Sequence, residues 1–146
     1  MLQMDLAKAN KEQALAGIKE IEEQQAKKKE LADILNQARN YKTNGNHLTN
    51  LSVPTGIDDK FVKYCQENGF SIPHYEKYAD SKENLDKKWD LCIAQMQTKL
   101  DTVGANIQTQ MVQLQDFMGQ YNSYMQGANT AISQSNQILA GLAKGQ

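Results

Sequence analysis

The sequence predicts an all-α fold, mostly: a long two-helix antiparallel coiled-coil hairpin with a small mixed insert between the helices. Three observations predict it. The first 42 residues contain no proline and a single glycine. From Trp89 to Leu142, apolar residues recur in steps that alternate four and three. Both prolines and both histidines fall between these stretches, at Pro54, Pro73, His47 and His74. The 146 residues suit one domain, 1–146, divided into a first helix over 1–42, an insert over 43–83 and a longer helix over 84–143.

The first helix is rich in Ala, Glu, Gln, Lys and Leu, the strong helix formers. Its apolar patches are Leu2, Leu6 and Ala9, then Ala14, Ile18 and Ile21, then Leu31, Ile34, Leu35 and Ala38. Between the last two lies a nearly all-polar run, Gln24 to Glu30, whose Lys27, Lys28 and Lys29 read as a solvated face. Asn44, Gly45 and Asn46 tolerate positive φ and end the helix. In the insert, Val53-Pro54-Thr55-Gly56 reads as a turn. A short amphipathic helix is expected at about 58–68, with Phe61, Val62, Tyr64 and Cys65 inward and a stop at Gly69. Phe70 to Pro73 reads as extended, Tyr75 and Tyr78 as a turn or brief helix, and Asp80 or Ser81 as the cap of the long helix.

The long helix carries its stripe at Trp89, Ile93, Met96, Leu100, Val103, Ile107, Leu114, Phe117, Tyr121, Tyr124, Ala128, Ala131, Ile138 and Leu142, with polar Gln110 and Ser135 in the same register. Such a 3.5-residue repeat marks a helix that faces another helix. A third column at Met111, Met118, Met125, Ile132 and Leu139 widens the stripe into a face that reaches more than one partner. The polar side is unusual. Between Thr102 and Ala143 the only charged residue is Asp116, and Gln, Asn, Ser, Thr and Gly fill the rest. The Lys/Glu pairs that support a solvated helix are missing, so this helix depends on packing and its outer face is expected to be covered by other protein. At about 60 residues it would reach roughly 90 Å against roughly 60 Å for the first helix. That mismatch points to assembly.

Composition excludes several functions. Net charge is −1 with no concentrated basic patch, which argues against nucleic acid. No apolar run is long enough to span a membrane, and few Lys or Arg flank the Met-rich face, which argues against lipid binding. The N-terminus lacks the layout of a cleaved secretory signal. Cys65 and Cys92 have no metal-ligand or redox-motif spacing and read as small buried hydrophobes. His47 and His74 have no partner at ligand spacing, the adjacent acids Glu22-Glu23 and Asp58-Asp59 point apart, and no nucleophile or phosphate motif occurs. No catalytic, cofactor or metal site is therefore expected, and the protein is not expected to be an enzyme.

Three segments resemble the filament and translocator proteins of bacterial type III secretion systems, the EspA/SseB-like proteins. They are LAKANKEQALAGIKEIEEQQAKKKELADILNQAR, the insert phrase IDDKFVKYCQENGFSIP, and LDKKWDLCIAQMQTKLD followed by IQTQMVQLQDFMGQYNSYMQGANTAISQSNQILAGLAKG. They cover nearly the whole chain, and the insert phrase is the most discriminating. The resemblance implies a virulence-associated subunit, held by a dedicated chaperone in the cytosol and exported without a cleaved signal. Outside the cell it polymerises into a filament that conducts effectors or translocators to a host cell. Its implied partners are itself, the chaperone, and the needle and other translocator proteins. The assembly and chaperone interface would be Ile93, Met96, Leu100, Val103, Ile107, Met111, Leu114, Phe117, Met118, Tyr121, Tyr124, Met125, Ile132, Ile138, Leu139 and Leu142. Family members usually carry a further portion before the first helix, and this chain begins almost directly on that helix. A looser resemblance joins the needle-tip, V-antigen-like proteins, whose insert is larger; an intracellular coiled-coil adaptor or chaperone is the alternative of another class.

Overall fold

The computed structural model describes residues 2–48, 54–74, 81–124 and 141. It is mostly helical, with three helices: α1 (Leu2–Asn44), α2 (Asp59–Asn68) and α3 (Lys82–Tyr124). The two long helices pack against each other. The expected positions Met125, Ala128, Ala131, Ile132, Ser135, Ile138, Leu139 and Leu142, with Tyr75 and Tyr78 of the insert, lie outside the described residues.

Each helix ends where its local chemistry dictates. At the end of α1, Gly45 adopts φ 71°, donates to the Lys42 carbonyl at 3.2 Å, and lets Asn46 reach the Tyr41 carbonyl at 3.0 Å. This paired closure satisfies carbonyls that the last turn leaves unpaired. α2 opens on Asp58, whose carboxylate accepts from the Lys60 amide at 3.1 Å, and closes at Gly69 with φ 73°. α3 is capped by Ser81, whose hydroxyl accepts from the Asn84 amide at 3.2 Å, so Ser81 rather than Asp80 fills that role.

The chain divides into two compact units, Met1–Lys28 with Thr102–Gln146, and Lys29–Asp101. The second unit contains the insert. Two short strands, β1 (His47–Leu48) and β2 (Pro54–Thr55), pair antiparallel, with His47 opposite Thr55 and Leu48 opposite Pro54. Pro54 and Thr55 are thus strand residues rather than the turn that the sequence suggested; proline is tolerated because it stands at the first residue of its strand. Leu48 also donates to the Pro73 carbonyl at 3.0 Å and bridges His74, which ties Phe70–Pro73 to β1.

The core of this unit is Leu31, Ile34, Leu35 and Ala38 of α1, Leu48 and Ile57, Phe61 and Cys65 of α2, and Leu85, Trp89, Cys92 and Met96 of α3. Val62 and Tyr64, expected inward, are half-buried at its edge, because a helix only ten residues long presents one row, Phe61 and Cys65, fully to the core. At the centre three rings meet, one from each helix. Tyr41 stands edge-on to Phe61 with centroids 5.0 Å apart, and Trp89 lies 5.9 Å from Tyr41 and 6.1 Å from Phe61. The polar atoms of this cluster are satisfied: Trp89 Nε1 donates to the Asn46 carbonyl at 2.8 Å, and the Tyr41 hydroxyl accepts from the Asp58 amide at 3.0 Å. Each bond joins the cluster to the residue that ends or caps a neighbouring helix.

The first unit is simpler. Ala14, Ile18 and Ile21 of α1 meet Ile107, Met111, Leu114 and Met118 of α3, with Val103 and Phe117 packed against them.

Trp89→Phe removes the buried indole donor and part of the ring volume, so it should lower stability by about 2 kcal/mol. Urea denaturation followed by circular dichroism measures this, and an unchanged midpoint contradicts the packing described.

Candidate assembly interface

The stripe on α3 was the sequence's candidate for an interface, and the structure places its described members inside the chain. In the second unit Met96 is fully buried, while Ile93 and Leu100 are half-buried. In the first unit Ile107, Met111, Leu114, Met118 and Tyr121 are buried, and Val103 and Phe117 are half-buried. Tyr124 is the last residue of α3.

The rhythm of burial also differs from the expected alternation of four and three. In the second unit the sequence of inward positions is Leu85, Trp89, Cys92, Met96 and Leu100, and in the first it is Val103, Ile107, Met111, Leu114, Met118 and Tyr121. Each contains two successive steps of four, Cys92–Met96–Leu100 and Val103–Ile107–Met111, so the runs Trp89–Leu100 and Val103–Leu114 pair two fours with one three, the spacing of an eleven-residue repeat, instead of alternating. An eleven-residue repeat averages 3.67 residues per turn, close to a straight α-helix, whereas 3.5 requires left-handed supercoiling. Cys92 replaces Ile93 as the inward residue, and Met111 and Met118 replace Gln110 and Phe117. The physical reason in the second unit is α2, which covers the Cys92 side of α3.

Partner pairs run in opposite directions along α1 and α3. In the first unit Gly17 faces Leu114, the Gln110 amide donates to the Glu20 carboxylate at 3.3 Å, and Gly104 lies beside Lys28. In the second, Arg39 donates to Gln97 at 3.4 Å and Lys42 pairs with Asp90 at 2.6 Å. Gln110, on the flank of the seam, has its Oε1 buried with no hydrogen-bond partner. A polar group kept there at a cost in stability suits a role in fixing helix register.

What remains open to a partner is the outer surface. In the first unit the exposed residues of α1 include Lys8, Lys11, Glu12, Lys19, Glu20, Glu22, Glu23 and Lys27. The exposed residues of α3 there are Thr102, Ala105, Asn106, Gln108, Thr109, Val112, Gln113, Gln115, Gly119 and Gln120, with Asp116 as the single charge among the exposed α3 residues described there. Val112 is 56% exposed, and the Thr109 hydroxyl is already spent on the Ala105 carbonyl at 3.1 Å. One helix of the unit is solvated by charge; the other offers methyl groups and amides. Apolar periodicity does not single out these positions, because they fall between the seam residues. The signal was present in Val112, an apolar residue off the stripe.

The His47 ring lies 3.3 Å from the Leu48 carbonyl, and the backbone carbonyl of His74 accepts from the Lys88 ammonium at 2.9 Å. Among the described residues no cluster of three His, Cys, Asp or Glu is placed to hold a metal ion, and no helix is long and apolar enough to cross a membrane. Comparisons with known protein-family models, with curated proteins and with solved structures find no match to this chain.

The close approach at Gly17 separates two glycine substitutions. A Cβ at Gly17 would stand 3.1 Å from a Leu114 methyl, whereas one at Gly104 meets nothing nearer than 3.7 Å. Gly104→Ala should therefore stabilise by roughly 0.5–1 kcal/mol through helix propensity. Gly17→Ile, which drives a branched side chain into Leu114, should destabilise. Thermal melts of the two variants check the opposite signs.

Proposed function

We propose that this chain is an antiparallel coiled-coil hairpin that serves as a structural subunit of a bacterial type III secretion apparatus. It self-assembles into an extracellular filament that conducts effectors or translocators toward a host cell, and a dedicated chaperone covers it before export. The observation that carries the assembly part of this reading is the contrast within the first unit. Its α1 surface is charged like that of any solvated helix, while the exposed surface of α3 from Thr102 to Gln120 carries Asp116 alone. Ion pairs on a solvated helix contribute a few tenths of a kcal/mol each, and their omission from one helix of a pair fits a surface that ends up against protein. The opposed partner pairs support the hairpin. The resemblance of the three sequence segments supports the secretion setting.

The burial of the seam changes which surface does the work. Leu114 and Met118 are already committed to α1 in the folded chain, so they contribute to assembly by building the hairpin, and contacts between copies fall to the outer face of α3. A charge at Leu114 would unfold the unit and report nothing about assembly.

The direct experiment adds charge to that outer face without touching the core. Ala105→Lys combined with Val112→Lys, both at exposed positions, should retain the wild-type circular dichroism. Sedimentation over a concentration series, followed by negative-stain microscopy, should show wild-type chains growing into filaments and the variant remaining monomeric. A wild-type chain that stays monomeric at high concentration, or a variant that assembles equally well, overturns the assembly reading. Detection only in the cytosol of a secretion-competent strain would favour an intracellular adaptor instead.

A further inference from the structure

We propose that Cys65 and Cys92 form a disulfide-closing site, a buried thiol pair that an external small-molecule disulfide oxidises to a covalent bridge between α2 and α3. The two residues are far apart in sequence, one on each helix, yet both are fully buried in the same cluster. They do not merely share that cluster. Each thiol is also perturbed by the other, as neighbouring sulfurs in one closed core are.

The two thiols perturb one another in their shared core. The hydrogen bond to Cys92 and burial push the Cys65 thiol well above the ordinary range, while the bond that Cys92 accepts holds its thiol below the ordinary value. Either sulfur can open the exchange once it is deprotonated, as Cys92 does in the following sequence. Its thiolate attacks one sulfur of the small-molecule disulfide, forms a mixed disulfide and releases one small thiolate, which takes up a proton. Cys65 then loses its proton, attacks Cys92 Sγ, and expels the second small thiolate. The two cysteine sulfurs are oxidised, the external disulfide is reduced to two thiols, and both protons end on those thiols.

The bridge would secure the one short helix of the second unit. α2 is ten residues long and buries only Phe61 and Cys65, too short to be stable without its packing partners. Closing a loop of roughly 25 residues removes enough disorder from the unfolded chain to raise Tm by on the order of 10 °C in a unit of this size. Burial gives the site a gate, because neither sulfur meets solvent until α2 lifts from α3. Oxidation of the folded chain is consequently slow, and oxidation during folding fast. The site depends on neither export nor assembly, so its test stands apart from the test of the filament reading.

The test refolds the full chain from denaturant in a glutathione redox couple poised for oxidation, then alkylates in denaturant and measures intact mass. The expected product is a monomer lighter by two hydrogens with no alkyl group, with a Tm above that of the reduced chain and returned to it by reductant. Cys65→Ala, which keeps the site apolar, should retain one alkylatable thiol and show no redox-dependent Tm. Recovery of the wild-type chain with both cysteines alkylated, or with glutathione held on each, overturns the proposal. So does a bridged chain that melts at the same temperature as the reduced one or below it.

Discussion

The second unit depends on three rings that no single segment provides. Tyr41 comes from the last turn of α1, Phe61 from α2 and Trp89 from the first turns of α3, and each touches the other two. Aromatic pairs in such geometry add about 0.5–1.5 kcal/mol apiece beyond the area they bury. The polar ends matter as much. The indole donates to Asn46, which follows the closing turn of α1, and the Tyr41 hydroxyl receives the amide of the residue that caps α2. The insert is therefore held by a core that also sets where two helices stop and start. Gly56 shows how tight this region is: it sits at φ 78°, and any side chain there would strike Asn46.

Among the described residues, the first unit has no such centre. Its core is a row of aliphatic and methionine side chains between two helices, and two packed helices leave most of their surface open. The choice of residues on that surface then determines behaviour. α1 covers its outer side with Lys and Glu, whereas α3 uses Thr, Ala, Gln and Val. A surface of this kind gains little from water and gives up few charged hydration shells when another chain covers it. That asymmetry connects the fold to the assembly reading.

The helices and their ends were readable because local chemistry specifies them. Asn44-Gly45-Asn46, Asp58 and Gly69 each mark a boundary through a property of one or two residues, and the short helix expected at 58–68 runs Asp59–Asn68. The inward face of α3 was less readable. Apolar residues stand side by side at Cys92 and Ile93 and again at Phe117 and Met118, so a step of three and a step of four are equally well supported by hydrophobicity. Only the partner decides between them, and α2 decides for Cys92. Tyr41 was missed for a related reason, since it lies beyond the last aliphatic patch of α1 and becomes central only once Phe61 and Trp89 converge on it. The β1–β2 ladder escaped because two-residue strands leave no alternating pattern. The candidate interface was legible as a helix but not as a face: the sequence showed that α3 beyond Asp101 carries little charge, and the structure showed which of its residues turn inward.

The claim that joins these observations is that copies of the chain meet through the outer face of α3 in the first unit. Cysteine cross-linking tests it most directly. In a background with Cys65→Ala and Cys92→Ala, the exposed residue Thr109 is replaced by Cys, and in a parallel chain the exposed Lys11 of α1 is replaced instead. Under assembling conditions with a mild oxidant, the Thr109→Cys chains should link to one another rapidly and in high yield, while the Lys11→Cys chains link only at the rate of random collision. Equal yields at the two positions, or preferential linking through Lys11→Cys, would contradict the account.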